Sequence, residues 1–382
     1  MELDYNLKED RKCINYICAY IVFQALNMVV KLVLGGFSLW SVISKGILAV
    51  FMLLALTVIL RKKFVKFLII EVLVAVSFLY THFINIGEAD INTIAFNAIV
   101  VFIPLFFSTL CIENYETFIN SLQKISVPTI IMLIVVYVAS TFSIYEYNMA
   151  LGYAMLFQLL LCIDRYLIKK KWYDLLLGVI LLSCILLGGS RGPLLCIFVY
   201  AIMLLSFSNS INKNEKKLFV IIFIFAAVII LISWDAILLN LIQYLETKGM
   251  SSRTLYLLYN KNFTSTGRDT IYRESLELIK NGPIFGYGTA GAWSNGFYPH
   301  NIFIEFLLSY GFVFGSFFSL MMLACWKKGL FLKDPYKRRL SLVLVAYTAS
   351  LMISNSFILE PLFFVAIPVF LSEFRIVFGR RR

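Results

Sequence analysis

The chain has 382 residues, of which 60% are hydrophobic and 15% are charged, and its formal net charge is +12. Soluble domains carry about 25% charged residues, so this composition excludes a soluble globular protein. Apolar runs of the roughly 20 residues that one bilayer crossing needs recur along the chain. We therefore predict an all-α polytopic membrane protein, with residues 1–382 forming a single integral membrane domain.

About twelve transmembrane helices are predicted from the apolar runs. Their approximate bounds are 14–34, 40–60, 64–86, 91–111, 127–146, 148–168, 173–189, 193–208, 217–234, 302–325, 338–358 and 359–378. A charged head, MELDYNLKEDRK, precedes the first of them as in a signal peptide. Because no small-residue cleavage site follows, we expect an uncleaved helix.

Lysine and arginine are concentrated in alternate connections between the spans. With both termini placed in the cytoplasm, most of the 34 fall on that side, and Arg191 is the one basic residue of the short outer loops. This is the positive-inside pattern of membrane proteins, so the basic excess reports topology and no nucleic-acid partner is expected. The seven cysteines lie in or beside spans without metal-ligand spacing, so no metal site is predicted.

The longest connection is the outer segment 235–300, which contains many aromatic residues and leucines and is expected to fold. Within it, RDTIYRESLELIKNG predicts a short amphipathic helix with Ile271, Leu278 and Ile279 on its apolar side. Asn281-Gly282-Pro283 is a strong signal for the end of that helix.

Arg191, in GGSRGP at residues 188–193, is the first candidate for chemistry. It lies between two short spans, so we expect its guanidinium below the membrane surface, where it needs an anion and its planar fork fits phosphate. Ser190 beside it is a candidate substrate-binding residue. The alternative is an arginine that reaches lipid headgroups.

Arg268, in STGRDTIYRES, is the second candidate. It begins the predicted helix, where the exposed N–H groups and the helix dipole already favour an anion. The alternative is a solvated charge paired with Asp269 or Glu274. Arg253 and Arg273 are rival candidates for binding substrate in the same loop.

His300, in YPHNIFIEF, precedes the next predicted helix. The positive end of that helix disfavours imidazolium, so a neutral imidazole that can accept a proton is expected. Asn301 can cap the helix, or it can orient a sugar or the histidine. Glu305, one turn further on, can hold Asn301 or His300. The alternative for His300 is an interfacial residue without chemistry, the interpretation that we give to His82.

The stretch GPIFGYGTAG precedes that histidine. Gly286 and Gly288 allow positive φ and close backbone approach, so their N–H groups can cradle a phosphate or a sugar. Structural turns alone explain the glycines equally well. Nearby aromatic residues, Trp293 and Tyr298 among them, can stack on sugar rings or anchor the interface.

Together, GGSRGP, TGRDTIYRESLELIKNGPIFGYGTAG and HNIFIEFLLSYGFVFG resemble the O-antigen ligase and polymerase family of bacterial envelopes in order, spacing and sidedness. The resemblance covers roughly residues 185–330. It implies a GT-C-like, metal-independent glycosyltransferase without a cofactor, which acts at the outer face of the bacterial cytoplasmic membrane and inverts the anomeric centre.

The same resemblance assigns roles to individual residues. His300 would act as general base on an acceptor hydroxyl, and Arg191 and Arg268 would hold the pyrophosphate of an undecaprenyl-pyrophosphate-linked glycan. Donor and acceptor would both be lipid-linked oligosaccharides in the bilayer, with a chain-length regulator and a flippase as further partners.

Three functions remain open at this point. A polymerase joins lipid-linked repeat units, and we prefer it because it serves capsules and exopolysaccharides as well as O-antigen. A ligase transfers the finished glycan to a lipid A core or a similar acceptor. A flippase for lipid-linked oligosaccharide would need polarity along a midplane path, whereas Lys31, Lys45 and Glu71 are the main polar residues within the spans.

Overall fold

The computed structural model describes most of the chain. The described residues are 2–34, 38–143, 149–187, 191–207, 239–240, 242–244, 246–247, 259, 268–293 and 298–373. Regular structure within these ranges is helical throughout, and several of the helices are long and apolar, so the protein is an all-α polytopic membrane protein, as predicted. The predicted span 217–234 and the candidates Ser190 and Arg253 lie outside the described residues.

The described helices follow the predicted spans in order. In chain order they are α1 (Glu2–Leu34), α2 (Ser38–Ile84), α3 (Ile91–Asn97), α4 (Ile103–Cys111), α5 (Tyr115–Ser143), α6 (Met149–Lys169), α7 (Trp172–Leu187), α8 (Arg191–Phe207), α9 (Arg268–Asn281), α10 (Ile302–Leu330), α11 (Pro335–Thr348) and α12 (Pro361–Leu371). A π-helical turn, Ala98–Phe102, joins α3 to α4. Two short 3₁₀ turns, Ala349–Met352 and Phe357–Leu359, lie between α11 and α12.

Six helical segments of the described part are long and apolar enough to cross a membrane. The longest, α2, has 47 residues, more than twice the length of one crossing. Its backbone leaves the helical region at Lys63, and the predicted spans 40–60 and 64–86 occupy its two halves. Large apolar side chains stay exposed along both halves, Val42 by 68% and Leu73 by 59%. An apolar surface of this length suits contact with lipid and is rare on soluble monomers.

The contacts divide the chain into two compact units. The first consists of Met1–Tyr20, Gly46–Ile119 and Ser265–Arg382, and the second of Ile21–Lys45 and Asn120–Thr264. In the second unit, α5, α6 and α7 enclose a buried apolar core that includes Ile130, Leu133, Leu159 and Leu181.

The second unit also buries an ion pair. The guanidinium of Arg165 donates to Asp174 at 2.6 Å and to the carbonyl of Gln123 at 2.6 Å. The side chain of Gln123 donates in turn to Asp164 at 2.9 Å. All four side chains are buried, so their mutual hydrogen bonds offset part of the cost of removing them from water.

In the first unit, the connections that the charge pattern assigns to the cytoplasm contact one another. The ammonium of Lys62 lies 3.6 Å from Glu9 and 3.7 Å from Glu113. Lys337, from the connection after α10, lies over the ring of Tyr115 at 5.0 Å. Four predicted cytoplasmic segments therefore meet in one region.

The connections that the charge pattern assigns to the outer side also meet. The N–H of Glu88, in the connection after α2, donates to the carbonyl of Trp293 at 2.7 Å. The side-chain amide of Asn301, at the start of α10, donates to the carbonyl of Met352 at 3.1 Å. The connections after α2, before α10 and after α11 are therefore held together in the first unit.

The chain reverses direction inside α10, at Gly311. This residue has φ +69°, and the rings of Phe306 and Phe318 lie only 6.0 Å apart, with Tyr310 and Phe318 at 5.0 Å. Twelve residues of continuous helix would separate them by about 18 Å. The prediction of one uninterrupted span over 302–325 is therefore wrong, because its first nine residues fold back on the remainder.

The predicted span 338–358 is also interrupted, and the helix of the last predicted span, 359–378, begins at Pro361. Helix α11 ends at Thr348 and α12 begins at Pro361, and residues 349–360 form short turns between them. Glu360 caps α12 through its side chain, and the residue before a proline disfavours the helical region. These turns, which we call the 349–360 segment, bring buried polar groups beside the start of α10.

Gly311→Ala is expected to destabilise the protein. The new Cβ would lie 2.0 Å from the carbonyl oxygen of Ile284, and the left-handed backbone costs an L-residue roughly 1–2 kcal/mol before that clash is counted. Unfolding in detergent should show a loss at least this large. Gly46→Ala in α2 is the matched control, because its Cβ meets nothing within 4 Å. Equal stability of the two variants would contradict the reversal.

Candidate active site

His300 has an unusual backbone conformation. Its φ of +53° lies in the left-handed region, between the buried Pro299 and the N-terminus of α10. Few residues other than glycine adopt this region, and such strain clusters at functional sites. Asn301 follows and caps α10, since its side-chain oxygen accepts from the N–H groups of Phe303 and Ile304 at 3.0 and 3.3 Å. The predicted cap is confirmed.

The imidazole of His300 is oriented by a backbone carbonyl. Its Nδ1 lies 3.0 Å from the carbonyl oxygen of Ser354, in the 349–360 segment. A carbonyl oxygen only accepts hydrogen bonds, so Nδ1 must carry the proton. In the neutral ring, Nε2 is then the unprotonated nitrogen, which can accept a proton from another group.

The surroundings of His300 favour that neutral ring. Burial lowers the pKa of His300 below its ordinary value of 6.5, and the nearby positive charge of Arg268 lowers it further, while the hydrogen bond to the Ser354 carbonyl acts in the opposite direction. A neutral histidine agrees with the prediction. The structure attributes it to burial and Arg268, whereas the prediction attributed it to the helix end.

Two aromatic rings lie in a row with the imidazole. The ring of Tyr298 is 4.1 Å from that of His300, and the ring of Trp293 is 5.4 Å from that of Tyr298. The hydroxyl of Tyr298 donates to the carbonyl of Ser354 at 3.2 Å, the same oxygen that holds His300. Ser354 therefore organises both side chains.

The structure separates the candidate arginines. Arg268 is the first residue of α9, is half-buried, and acts electrostatically on His300. Arg273, one turn further along α9, is exposed. Arg191 is the first residue of α8, whereas the prediction placed it in the turn before a span that begins at residue 193, and its side chain lies outside the described part. Of Arg268 and Arg273, Arg268 is the one whose charge acts on the pKa of His300.

The glycine-rich loop is a support for α10. Gly286 and Gly288 have φ of +73° and +75°. The N–H of Gly286 donates to the carbonyl of Pro283 at 2.9 Å, and that of Gly288 to Ser309 at 2.8 Å. These amides are used within the protein, so they do not form the predicted N–H cradle. Substrate binding by Gly286 and Gly288 through other atoms stays a prediction.

Close approach explains why glycine stands at these positions. A Cβ on Gly288 would lie 2.0 Å from the hydroxyl of Thr81, and one on Gly286 would lie 2.4 Å from the backbone nitrogen of Gly311. The hydroxyl of Tyr80 donates to the carbonyl of Gly286 at 3.0 Å. The loop is therefore wedged between the end of α2 and the reversal in α10.

Glu305 makes other contacts than the predicted ones. It is 0% exposed, so it presents no surface to a substrate. Its Oε1 accepts from the hydroxyl of Ser356 at 2.5 Å, and its Oε2 accepts from the N–H of Phe357 at 3.3 Å. The predicted partners were Asn301 and His300, and the structure replaces them with the 349–360 segment.

The sequence prediction missed Ser354 and Ser356 altogether. Their signal was the polar run SNS at 354–356 within an otherwise apolar stretch, close to the outer end of a predicted span. His82, by contrast, is exposed and lies next to Phe83, without a contact to this site. Among the described residues, no group of three His, Cys, Asp or Glu side chains is placed to hold a metal ion.

Arg268→Gln is expected to raise the pKa of His300, because it removes a positive charge that disfavours imidazolium. The titration can be followed by ¹⁵N NMR after His82→Gln removes the other of the two histidines. Arg273→Gln is the matched control, an exposed arginine on the same helix, and should shift the pKa less. An unchanged pKa in Arg268→Gln, or equal shifts in both variants, would contradict the described geometry.

Comparison with known proteins identifies the region that holds these residues. The family model described as O-antigen ligase matches residues 176–319, which include Arg191, Arg268, His300 and Glu305. Comparison with curated proteins and with solved structures gave no match. Members of the matched family are glycosyltransferase-like enzymes, and the match supports a function of the O-antigen ligase or polymerase type. Residues 176–319 of the chain are thus similar to the O-antigen ligase family.

Proposed function

We propose that the protein is a polysaccharide polymerase of the cell envelope. It transfers a glycan from undecaprenyl pyrophosphate to a sugar hydroxyl of another lipid-linked repeat unit, without a metal ion, at the outer face of the cytoplasmic membrane. The observation that supports this proposal most strongly is the Nδ1 hydrogen bond of His300 to Ser354, which leaves Nε2 to accept a proton within the electrostatic influence of Arg268.

The proposed reaction is a single displacement at the anomeric carbon. Nε2 of His300 takes the proton of the acceptor hydroxyl as its oxygen forms a bond to that carbon. On the opposite side, the bond from the carbon to the pyrophosphate oxygen breaks, so the configuration inverts. The electron pair leaves with the lipid pyrophosphate, and His300 becomes an imidazolium that loses its proton to solvent.

Arg268 is placed in the role of binding the pyrophosphate leaving group. It stands at the N-terminus of α9, where the helix dipole adds to its own positive charge. Fixed positive charge at the departing oxygens stabilises the charge that develops in the transition state. The family resemblance assigns the pyrophosphate to Arg191 as well, and the proposal includes it in that role.

The contacts of the connections support the proposed sidedness. His300 lies where the segments that are poor in lysine meet, whereas Lys62 and Lys337 lie among the basic connections. Under the positive-inside rule, the basic connections are cytoplasmic and the site faces outward. The lipid-linked donor would be available there without ATP.

A ligase is the second candidate, because the matched family carries that description. Its base and its pyrophosphate-binding arginines would be the same, and only the acceptor would differ. A flippase is less well supported, because Lys31 and Lys45 are exposed on the helices and the buried charges of Asp164 and Arg165 are engaged within the protein.

Mass analysis of glycan products can decide between these functions. Purified protein supplied only with lipid-linked repeat units should yield lipid-linked dimers and longer chains. A ligase would leave the units unjoined until a lipid A core or similar acceptor is added. Repeat units that stay unjoined with and without the added acceptor would contradict glycosyl transfer and would favour the flippase.

His300→Ala is expected to reduce glycan transfer by about 10² to 10⁴-fold, because a positioned general base contributes rate enhancements of that size. Expression and membrane insertion should persist. His82→Ala is the control, since this second histidine lies outside the site. Transfer at the wild-type rate by His300→Ala would overturn the assignment of the base.

A further inference from the structure

The 349–360 segment lies outside residues 176–319, which the family model matches, yet it makes the hydrogen bond that orients His300. The atom in contact is a backbone carbonyl, that of Ser354. Its position depends on how the chain on either side of Ser354 is held, and not on the Ser354 side chain.

Helix α10 holds that chain on both sides of Ser354. Before it, the carbonyl of Met352 accepts from the side-chain amide of Asn301 at 3.1 Å. After it, the hydroxyl of Ser356 donates to Glu305 at 2.5 Å, and the N–H of Phe357 donates to the same carboxylate at 3.3 Å. The Ser354 carbonyl is thus fixed between two attachments to the helix that His300 precedes.

We propose that Glu305 is a positioning residue for His300. By holding Ser356 and Phe357, it keeps the Ser354 carbonyl on Nδ1 of His300, which keeps the proton on Nδ1 and leaves Nε2 as the base. Both oxygens of Glu305 are engaged and the side chain is fully buried, so it acts through the protein and not on the substrate. This inference rests on the proposed function, in which His300 is the general base.

A merely structural role for Glu305 gives a different expectation. Loss of its hydrogen bonds would then lower the stability of the protein, while the folded molecules kept the same proton on the same nitrogen of His300. The proton position is therefore the decisive quantity. It can be measured without substrate, because ¹⁵N signals of protonated and unprotonated imidazole nitrogens are well separated.

The experiment uses full-length protein in detergent, labelled with ¹⁵N-histidine in a His82→Gln background, so that every signal comes from His300. Glu305→Ala removes both hydrogen bonds. In Glu305→Gln, the amide oxygen can still accept from the N–H of Phe357, and the amide NH₂ can donate to the hydroxyl of Ser356. This variant therefore tests the geometry of the contacts without the charge of Glu305. Ser356→Ala removes the bond to Oε1 of Glu305, and with it the bond that the hydroxyl accepts from the N–H of Ile358 at 3.2 Å, without changing α10. It carries the test if Glu305→Ala does not fold.

We expect wild type and Glu305→Gln to show the Nδ1–H tautomer, and Glu305→Ala to show a mixture of both tautomers. In transfer assays, kcat of Glu305→Ala should fall about 10²-fold with little change in KM, as for a displaced catalytic group. The kcat of Ser356→Ala should fall about tenfold, the value of the one hydrogen bond that this variant removes between the 349–360 segment and Glu305. The pKa of His300 should fall in Glu305→Ala, because the hydrogen bond to the Ser354 carbonyl, which raises it, is weakened.

A wild-type tautomer in folded Glu305→Ala and Ser356→Ala would overturn the inference, and so would a Glu305→Gln variant that behaves like Glu305→Ala. Neither result bears on whether His300 is the base. The proposed function is tested separately, and it fails if His300→Ala transfers glycan at the wild-type rate. The two failures are therefore distinguishable.

Discussion

The candidate site depends on one hydrogen bond, between Nδ1 of His300 and the backbone carbonyl of Ser354. A carboxylate in place of that carbonyl would favour imidazolium and raise the pKa of the ring. The carbonyl determines which nitrogen is protonated and adds no full charge, while burial and Arg268 keep the pKa of His300 low. The ring is thus oriented and neutral at once, as a base near neutral pH requires.

The fold supplies the geometry through two interruptions of helices. The reversal at Gly311 lets the short first half of α10 pack against its own continuation, and the glycine-rich loop hydrogen-bonds to the carbonyls of Leu308 and Ser309 at the end of that half. The break between α11 and α12 brings Ser354 to the start of α10. Irregular backbone at membrane depth is tolerated where protein satisfies its polar groups, and here it also carries the residues of the site.

Arg268 has two functions in this account. Its charge opposes protonation of His300 before the reaction, and it meets a developing pyrophosphate charge during it. Once an anion is bound, the charge that acts on the histidine is reduced. Under the proposed function, the imidazolium formed by proton transfer would then be less disfavoured, and donor binding would be coupled to base catalysis through one guanidinium.

Local features of the site were predictable from the sequence, and contacts between distant residues were not. Asn301 as a cap, Arg268 at a helix start and the end of α9 before Gly282 follow from short patterns. The reversal at Gly311 lies within an unbroken apolar run, where hydropathy cannot distinguish a straight helix from a folded one. The contact of His300 with Ser354 joins residues 54 positions apart, and neither of the two short stretches around them indicates that they pair.

In the proposed reaction, a neutral His300 accepts the proton of the acceptor sugar. This step is tested most directly by the pH dependence of kcat/KM for transfer between lipid-linked repeat units. Activity is expected to fall as the pH drops through the pKa of His300, which burial and Arg268 lower from 6.5, and this acidic limb should coincide with the titration of His300 seen by NMR. A profile without an acidic limb, or a limb that does not follow the His300 titration, would contradict it.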